Sequence, residues 1–212
     1  GRGARGEAMG LEAHVAPSIL AADFAYLGDA VKKVAEAGAD WLHIDVFDGH
    51  YVPNLTFGAP LVKCIRPVVP EVFFDCHLCV TNPEAHVQPL AAAGAQQIGF
   101  HADAARDPEA LVRAIAAAGC RPAVALSPDQ PAASVVPLVE AGARTVNVMT
   151  VTPGFGGQKF MPEMLDKVRE LRARFPELDI SVDGGVGPAN IAEVAAAGAN
   201  VVVSGSAVFK AA

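Results

Sequence analysis

The sequence predicts an α/β fold of one domain, a (β/α)8 TIM barrel. Two observations predict it. Runs of strand character alternate with Ala-rich helical runs along the chain, which is the pattern of a parallel sheet. A short phrase also punctuates the alternation: EAGAD, AAGAQ, AAGCR, EAGAR and AAGAN, with glycines at 38, 94, 119, 142 and 198. Glycine just past a helical run is a physical stop signal, and each phrase leads into an apolar or β-branched run.

In chain order, strands are predicted at 13–19, 41–47, 72–79, 97–101, 122–127, 145–150, 179–183 and 200–204. Helices are predicted at 23–37, 57–66, 83–93, 107–118, 131–141, 161–175 and 187–197. Eight strands without a reversal signal favour a closed barrel over an open doubly wound sheet. After the last strand only GSAVFKAA remains, so the barrel is predicted to lack its last outer helix, leaving an apolar flank where the eighth strand meets the first. Residues 11–212 are assigned to the barrel. Residues 1–10, GRGARGEAMG, match no element and read as the disordered remnant of a tag or leader.

Bulk properties narrow the function. The chain has 212 residues, 52% hydrophobic and 18% charged, with net charge −7, a compact globular composition. No Lys/Arg stripe forms, which argues against nucleic acid. No apolar run near 20 residues escapes polar interruption, which argues against a membrane span. Cys76 and Cys79 make a C-x-x-C, but a spacing of three along a strand points the two sulfurs to opposite faces. They read as reduced cysteines of a cytoplasmic type rather than a zinc or redox pair, as do Cys64 and Cys120.

The chemistry gathers at strand ends. In WLHIDVFDGHYVPN (41–54), His43, Asp45 and Phe47 share one parity and one face. Asp75, His77 and Cys79 share another. Ser18 ends the first strand, Met149 the sixth and Asp183 the seventh. A buried unpaired carboxylate is costly. Two imidazoles, His43 and His77, converging with two carboxylates, Asp45 and Asp183, point to one divalent cation. That donor set suits Zn2+, Mn2+, Fe2+ or Co2+ better than Mg2+ or Ca2+. Asp48 next to Gly49 reads as turn chemistry, and His101, ending the fourth strand, as a supporting or packing residue.

Three glycine segments follow neighbouring late strands: PGFGGQ (153–158), DGGVG (183–187) and SGSA (204–207). Such loops let backbone N–H groups close on an anion, and barrels hold phosphate there. A metal beside two carboxylates, with a phosphate cradle across the mouth, suits proton abstraction next to a carbonyl on a phosphorylated sugar. Delivery of a proton from the opposite face is epimerisation.

The motifs APSILAADF, HIDVFDGHYVPN, DCHL with NPE, MTVTPGFGGQKF, VDGGVGPAN and SGSAVF, from Ala16 to Phe209, closely resemble those of the ribulose-phosphate 3-epimerase family, most nearly its eukaryotic cytosolic branch. The resemblance implies interconversion of D-ribulose 5-phosphate and D-xylulose 5-phosphate through an enediolate, in the pentose phosphate pathway and Calvin cycle. It implies one metal ion on His43, Asp45, His77 and Asp183, with Asp45 and Asp183 as the acid/base pair. Ser18 and His77 would touch the sugar. Gly154, Phe155, Gly156, Gly157, Asp183, Gly184, Gly185, Gly205 and Ser206 would hold the rest of the substrate. The family's homodimers or homohexamers are implied, in the cytoplasm or, with the Arg-rich start read as a transit stub, the plastid. Phe47 and Cys79 stand where the family usually has methionine, leaving Met149 of a thioether cluster. Two readings compete: an allulose-6-phosphate 3-epimerase, with the same groups and a longer pocket, and a non-catalytic phospho-sugar-binding barrel. Decarboxylases and hexulose-phosphate synthases need D-x-K-x-x-D at a strand end, whereas Asp45 is followed by Val-Phe-Asp with no lysine.

Overall fold

The computed structural model of the chain describes residues 11–210, so the expected leader at 1–10 lies outside the described residues. Eight strands, β1 (His14–Pro17), β2 (Trp41–Phe47), β3 (Phe73–Cys79), β4 (Gln97–His101), β5 (Arg121–Leu126), β6 (Thr145–Met149), β7 (Asp179–Asp183) and β8 (Val201–Ser204), alternate with helices. The helices are α1 (Leu27–Glu36), α2 (Ala59–Ile65), α3 (Val87–Ala93), α4 (Pro108–Ala117), α5 (Val136–Glu140), α6 (Leu165–Arg174), α7 (Ile191–Ala196) and α8 (Ser206–Phe209). All pairings are parallel, in the order β1-β8-β7-β6-β5-β4-β3-β2.

The seam lies between β1 and β2, and two residues close it. At the lower end Asp40 donates its amide to the Val15 carbonyl (3.1 Å) and accepts the Val15 N–H on Oδ2 (2.9 Å). At the upper end Ser18 and His43 form one isolated parallel bridge. Single residues therefore do there what a ladder does elsewhere.

Parallel strands covered by helices are buried on both faces, so they read as continuous apolar runs. The outward set, including Leu42, Ile44, Phe74, Leu78, Ile98, Phe100, Val146 and Ile180, joins the inner faces of the helices in one large cluster. Phe74 and Phe100 are wholly buried, and each such side chain contributes about 1.5–3 kcal/mol. A small apolar plug of Ala16, Trp41, Val201 and Val203, flanked by Phe73, fills the barrel floor. Much of the rest of the interior is polar: His43, Asp75, His77, Gln97, Thr145, Asn147 and Ser181 are all buried. Cys76 lies in the outer cluster and Cys79 in a small inner one with Phe47 and Val52, on opposite faces as their spacing requires, and all four cysteines are free.

Two expectations need correction. The chain has an eighth helix: α8 is a single turn, and its Phe209 packs against the main cluster. The outward Val202 of β8 is buried, leaving Val15 of β1, 41% exposed, as the open part of that flank. Four predicted helices also open as 3-10 turns, at Phe24–Tyr26, Pro83–His86, Ala132–Val135 and Pro162–Met164. In two of them the cause is proline: Pro89 and Pro137 carry no N–H to bond the carbonyl four residues back, so a continuous α-helix from 83 or 132 is barred. Among the described residues no helix is long and apolar enough to cross a membrane.

Candidate active site

Register assembles the site. β2 and β3 pair with His43 beside Asp75, Asp45 beside His77, and Phe47 beside Cys79. β6 and β7 set Met149 beside Asp183. Alternate residues share a face, so these side chains point into the barrel mouth in layers. His43 Nε2 stands 3.3 Å from Asp45 Oδ1 and 3.3 Å from Asp183 Oδ2. His77 Nδ1 stands 3.2 Å from Asp45 Oδ1 and 3.7 Å from Asp183 Oδ2. The four donor atoms all lie within 4.8 Å of one another.

This group fits a divalent ion. Buried His43 Nε2 has no hydrogen-bond partner, although two carboxylates flank it. A buried polar nitrogen left unpaired beside two converging anions is what a cation resolves. Two nitrogens and two carboxylate oxygens suit a borderline first-row ion. The bare group is electrostatically tense. Burial lowers the basicity of His43, but Asp45, Asp183 and Asp75 reverse that and hold its pKa well above the ordinary 6.5. Burial likewise pushes the Asp45 carboxyl up, and His43 and His77 more than offset it, holding the carboxyl well below the usual carboxylate range.

A second set of side chains aims these four. His43 Nδ1 lies 2.8 Å from Asp75 Oδ2. A carboxylate only accepts, so Nδ1 carries a proton and Nε2 is the nitrogen left to offer a lone pair to a bound ion. Gln97 donates Nε2–H to Asp75 Oδ1 (2.8 Å), and the Thr145 hydroxyl donates to Gln97 Oε1 (2.7 Å). Ser18 donates its hydroxyl to Asp45 Oδ2 (2.7 Å). Asn147 donates Nδ2–H to Asp183 Oδ2 (3.3 Å) and is itself held by the Ser181 hydroxyl (2.8 Å). Asn147, Ser181, Gln97 and Thr145 were not among the predicted site residues. The available signal was parity, since Asn147 is two residues before Met149 and Ser181 two before Asp183.

The cluster forms one wall of a cavity of about 240 Å3. Ser18, Asp45, His77, Asp183 and every glycine-loop residue singled out from the sequence, namely Gly154, Phe155, Gly156, Gly157, Gly184, Gly185, Gly205 and Ser206, line it; His43 lies deeper. The lining contains no lysine or arginine. Among the described residues, none accepts a hydrogen bond from the backbone N–H of Gly184, Gly185, Gly205 or Ser206. Gly184 has φ +123, and a Cβ there would sit 2.5 Å from Val151 Cγ2. Gly185 has φ +68, and a Cβ there would sit 2.8 Å from the Phe160 nitrogen. Only glycine fits this loop.

Asp48 stands outside the cluster. Its Oδ1 accepts the N–H groups of His50 and Tyr51 (both 2.9 Å), and its Oδ2 accepts the Thr81 N–H and hydroxyl (both 2.8 Å). It ties the loop after β2 to the end of β3, as the turn reading expects. His101 faces His77 from β4, with its Nε2 2.9 Å from His77 Nε2.

The chain is similar to known proteins along nearly its full length. The profile of the ribulose-phosphate 3 epimerase family matches residues 14–209. The cytoplasmic isoform of ribulose-phosphate 3-epimerase from Oryza sativa subsp. japonica is 53% identical over 203 residues, covering 94% of this chain and 89% of that protein. Ribulose-phosphate 3-epimerase from Eremothecium gossypii is 50% identical over 208 residues, covering 93% and 87%. Among solved structures, a 3-hexulose-6-phosphate synthase superposes with TM-score 0.68 at 21% identity, covering 94% of this chain and 93% of that one. KGPDC from Streptococcus mutans superposes with TM-score 0.71 at 16% identity, covering 95% and 91%. These two share the barrel alone.

Proposed function

The chain belongs to the ribulose-phosphate 3-epimerase family, and from that premise we propose how its site works. The activity is ribulose-phosphate 3-epimerisation, an isomerase reaction. In our reading it interconverts D-ribulose 5-phosphate and D-xylulose 5-phosphate. One of Asp45 and Asp183 takes the C3 proton as the C3–H bond breaks and an enediolate forms. The other, protonated at the start, delivers its proton to the opposite face of C3. Configuration inverts, no net proton is gained or lost, and the two carboxyl groups exchange protonation states. The observation that carries this reading is that Asp45 and Asp183, from β2 and β7 on different walls, meet at the same nitrogen, each 3.3 Å from His43 Nε2.

The chain's own groups support each role. Ser18 holds Asp45, Asn147 holds Asp183, and Asp75 aims His43. Fixed carboxylates of this kind contribute about 10²–10⁴-fold as general acid and base. One Zn2+, Fe2+, Mn2+ or Co2+ ion held by His43, Asp45, His77 and Asp183 would supply the charge that neutralises both aspartates and polarises the substrate carbonyl. Ser18 and His77 face the sugar. The unpaired amides of Gly184, Gly185, Gly205 and Ser206, with the loop Gly154–Phe155–Gly156–Gly157, take the phosphate without a basic side chain. Assembly as a homodimer or homohexamer belongs to this reading and is supported by Phe24 and Tyr26, 49% and 68% exposed on one flank. Placement in the cytoplasm, with the plastid as the alternative, belongs to this reading and is supported by the likeness to a cytoplasmic isoform.

The test is Asp183→Asn. It is expected to keep phospho-sugar binding within a few-fold and to lose turnover by about 10³-fold or more; a fully active variant removes Asp183 from the mechanism. Chelation is expected to silence the enzyme, and Zn2+ or Mn2+ to restore it. Unchanged turnover in protein shown to be metal-free would refute the ion.

A further inference from the structure

His77 turns only one ring nitrogen toward the cluster described above. Its other nitrogen faces a second group of ligand atoms, for which neither the epimerase reaction nor the family resemblance supplies a use. His77 Nε2 lies 2.9 Å from His101 Nε2, and Cys79 Sγ lies 3.5 Å from each of these nitrogens. The three form a triangle of two imidazoles and one thiol, all buried, with His77 and Cys79 on the cavity wall. The triangle is oriented from outside. Ser127 Oγ lies 3.2 Å from His101 Nδ1, and the Tyr51 ring packs against His101 at a tilt of 38°, with centroids 5.0 Å apart.

We propose that His77 Nε2, Cys79 Sγ and His101 Nε2 form a second metal site, for one thiophilic ion of the Zn2+, Co2+ or Cu+ type, sharing the His77 ring with the first. The dimensions agree. Ligands at about 2.0–2.3 Å around a tetrahedral ion are separated by roughly 3.3–3.6 Å. The two sulfur–nitrogen edges already have that length, and the nitrogen–nitrogen edge needs to open by about 0.4 Å. Mixed imidazole and thiolate donors select soft and borderline ions over Mg2+ or Ca2+. The open cavity gives the ion an entry path and leaves a fourth position for water. Binding releases the Cys79 thiol proton and the His77 Nε2 proton to solvent, so that thiolate and bridging imidazolate balance the added charge. Cys79 makes the difference, because its thiolate adds a sulfur donor to the two imidazoles.

Cobalt distinguishes the two sites, because only the second carries sulfur. Metal-free protein titrated with Co2+ is expected to bind two equivalents, the thiolate-to-cobalt absorption in the near ultraviolet growing with one of them. In Cys79→Met that absorption is expected to vanish and the second equivalent to weaken at least tenfold, with the first retained. His101→Gln, which leaves all four residues of the first site in place, is expected to weaken the second equivalent to a similar degree. Saturation at one equivalent without thiolate absorption in the unmodified protein would overturn the proposal, as would a second equivalent bound equally well by Cys79→Met. A thiolate band that survives loss of the first site in Asp183→Asn would uphold the second site independently of the epimerase mechanism.

Discussion

Asp75 never reaches the substrate cavity, yet it determines which nitrogen of His43 does. With Nδ1–H donated to Asp75 at 2.8 Å, the Nε2 lone pair can only face Asp45 and Asp183. Asp75→Asn offers an amide that can donate as well as accept, which releases the tautomer. Such partners are worth about 10–100-fold in metal affinity. The variant is expected to lose that much in a chelator-competition titration and to keep its KM at saturating metal. Undiminished affinity would assign Asp75 to packing alone. The cluster was legible because β2 carries His43 and Asp45 and β3 carries Asp75 and His77 at a spacing of two, while Asp183 ends β7, and parity needs no tertiary information. Asn147 and Ser181 were not, because one amide or hydroxyl in an apolar run has no distinguishing pattern. Their role exists only once β6 and β7 pair with Asn147 beside Ser181. The contact between His77 and His101 likewise depends on how β3 and β4 sit around the barrel.

At the level of elements, the loop after β7 is the least tolerant part of the mouth. Thr150, just past β6, holds it, its hydroxyl donating to the carbonyls of Asp183 (3.1 Å) and Gly184 (2.6 Å). Gly185→Ala would drive a methyl into the backbone of Phe160 while holding alanine at φ +68. Strain of about 1–2 kcal/mol for the left-handed backbone adds to an overpacking cost of about 1–3 kcal/mol. A loss of about 2–5 kcal/mol in denaturant unfolding is expected, with weaker phosphate-sugar binding. A stability within about 0.5 kcal/mol of the parent would show that the loop yields. The order of helix and strand was legible from the glycine punctuation. The 3-10 openings and the one-turn α8 were not, because a helix of four residues carries too little periodicity to register.

Across the whole molecule, the charges of the cluster make the stability of metal-free protein depend on pH, a dependence that a bound ion should remove. The folded pKa of His43 is raised above 6.5 and that of Asp45 depressed below 3.8. The His43 contribution is complete below about 6.5 and is lost as pH rises through the higher folded value. The Asp45 contribution is complete above about 3.8 and is lost only as pH falls through the lower folded value. Metal-free protein is therefore expected to melt progressively lower as pH is raised from about 6 to about 9. Protein loaded with Zn2+, which needs neutral imidazoles, is expected to hold its Tm over that range. A flat or rising profile in the metal-free form would contradict the charge assignment.

The seam between β1 and β2 gives the site a second duty. Seven junctions of the barrel are zipped by full ladders, while at the mouth the eighth depends on the Ser18–His43 bridge and the Ser18–Asp45 hydrogen bond. The clasp of the barrel and the grip proposed for the ion thus share two residues, His43 and Asp45. An ion seated there acts as a rivet, and its removal should first loosen amide hydrogens along β1 and the upper half of β2, leaving the opposite staves, β5 and β6, protected against exchange.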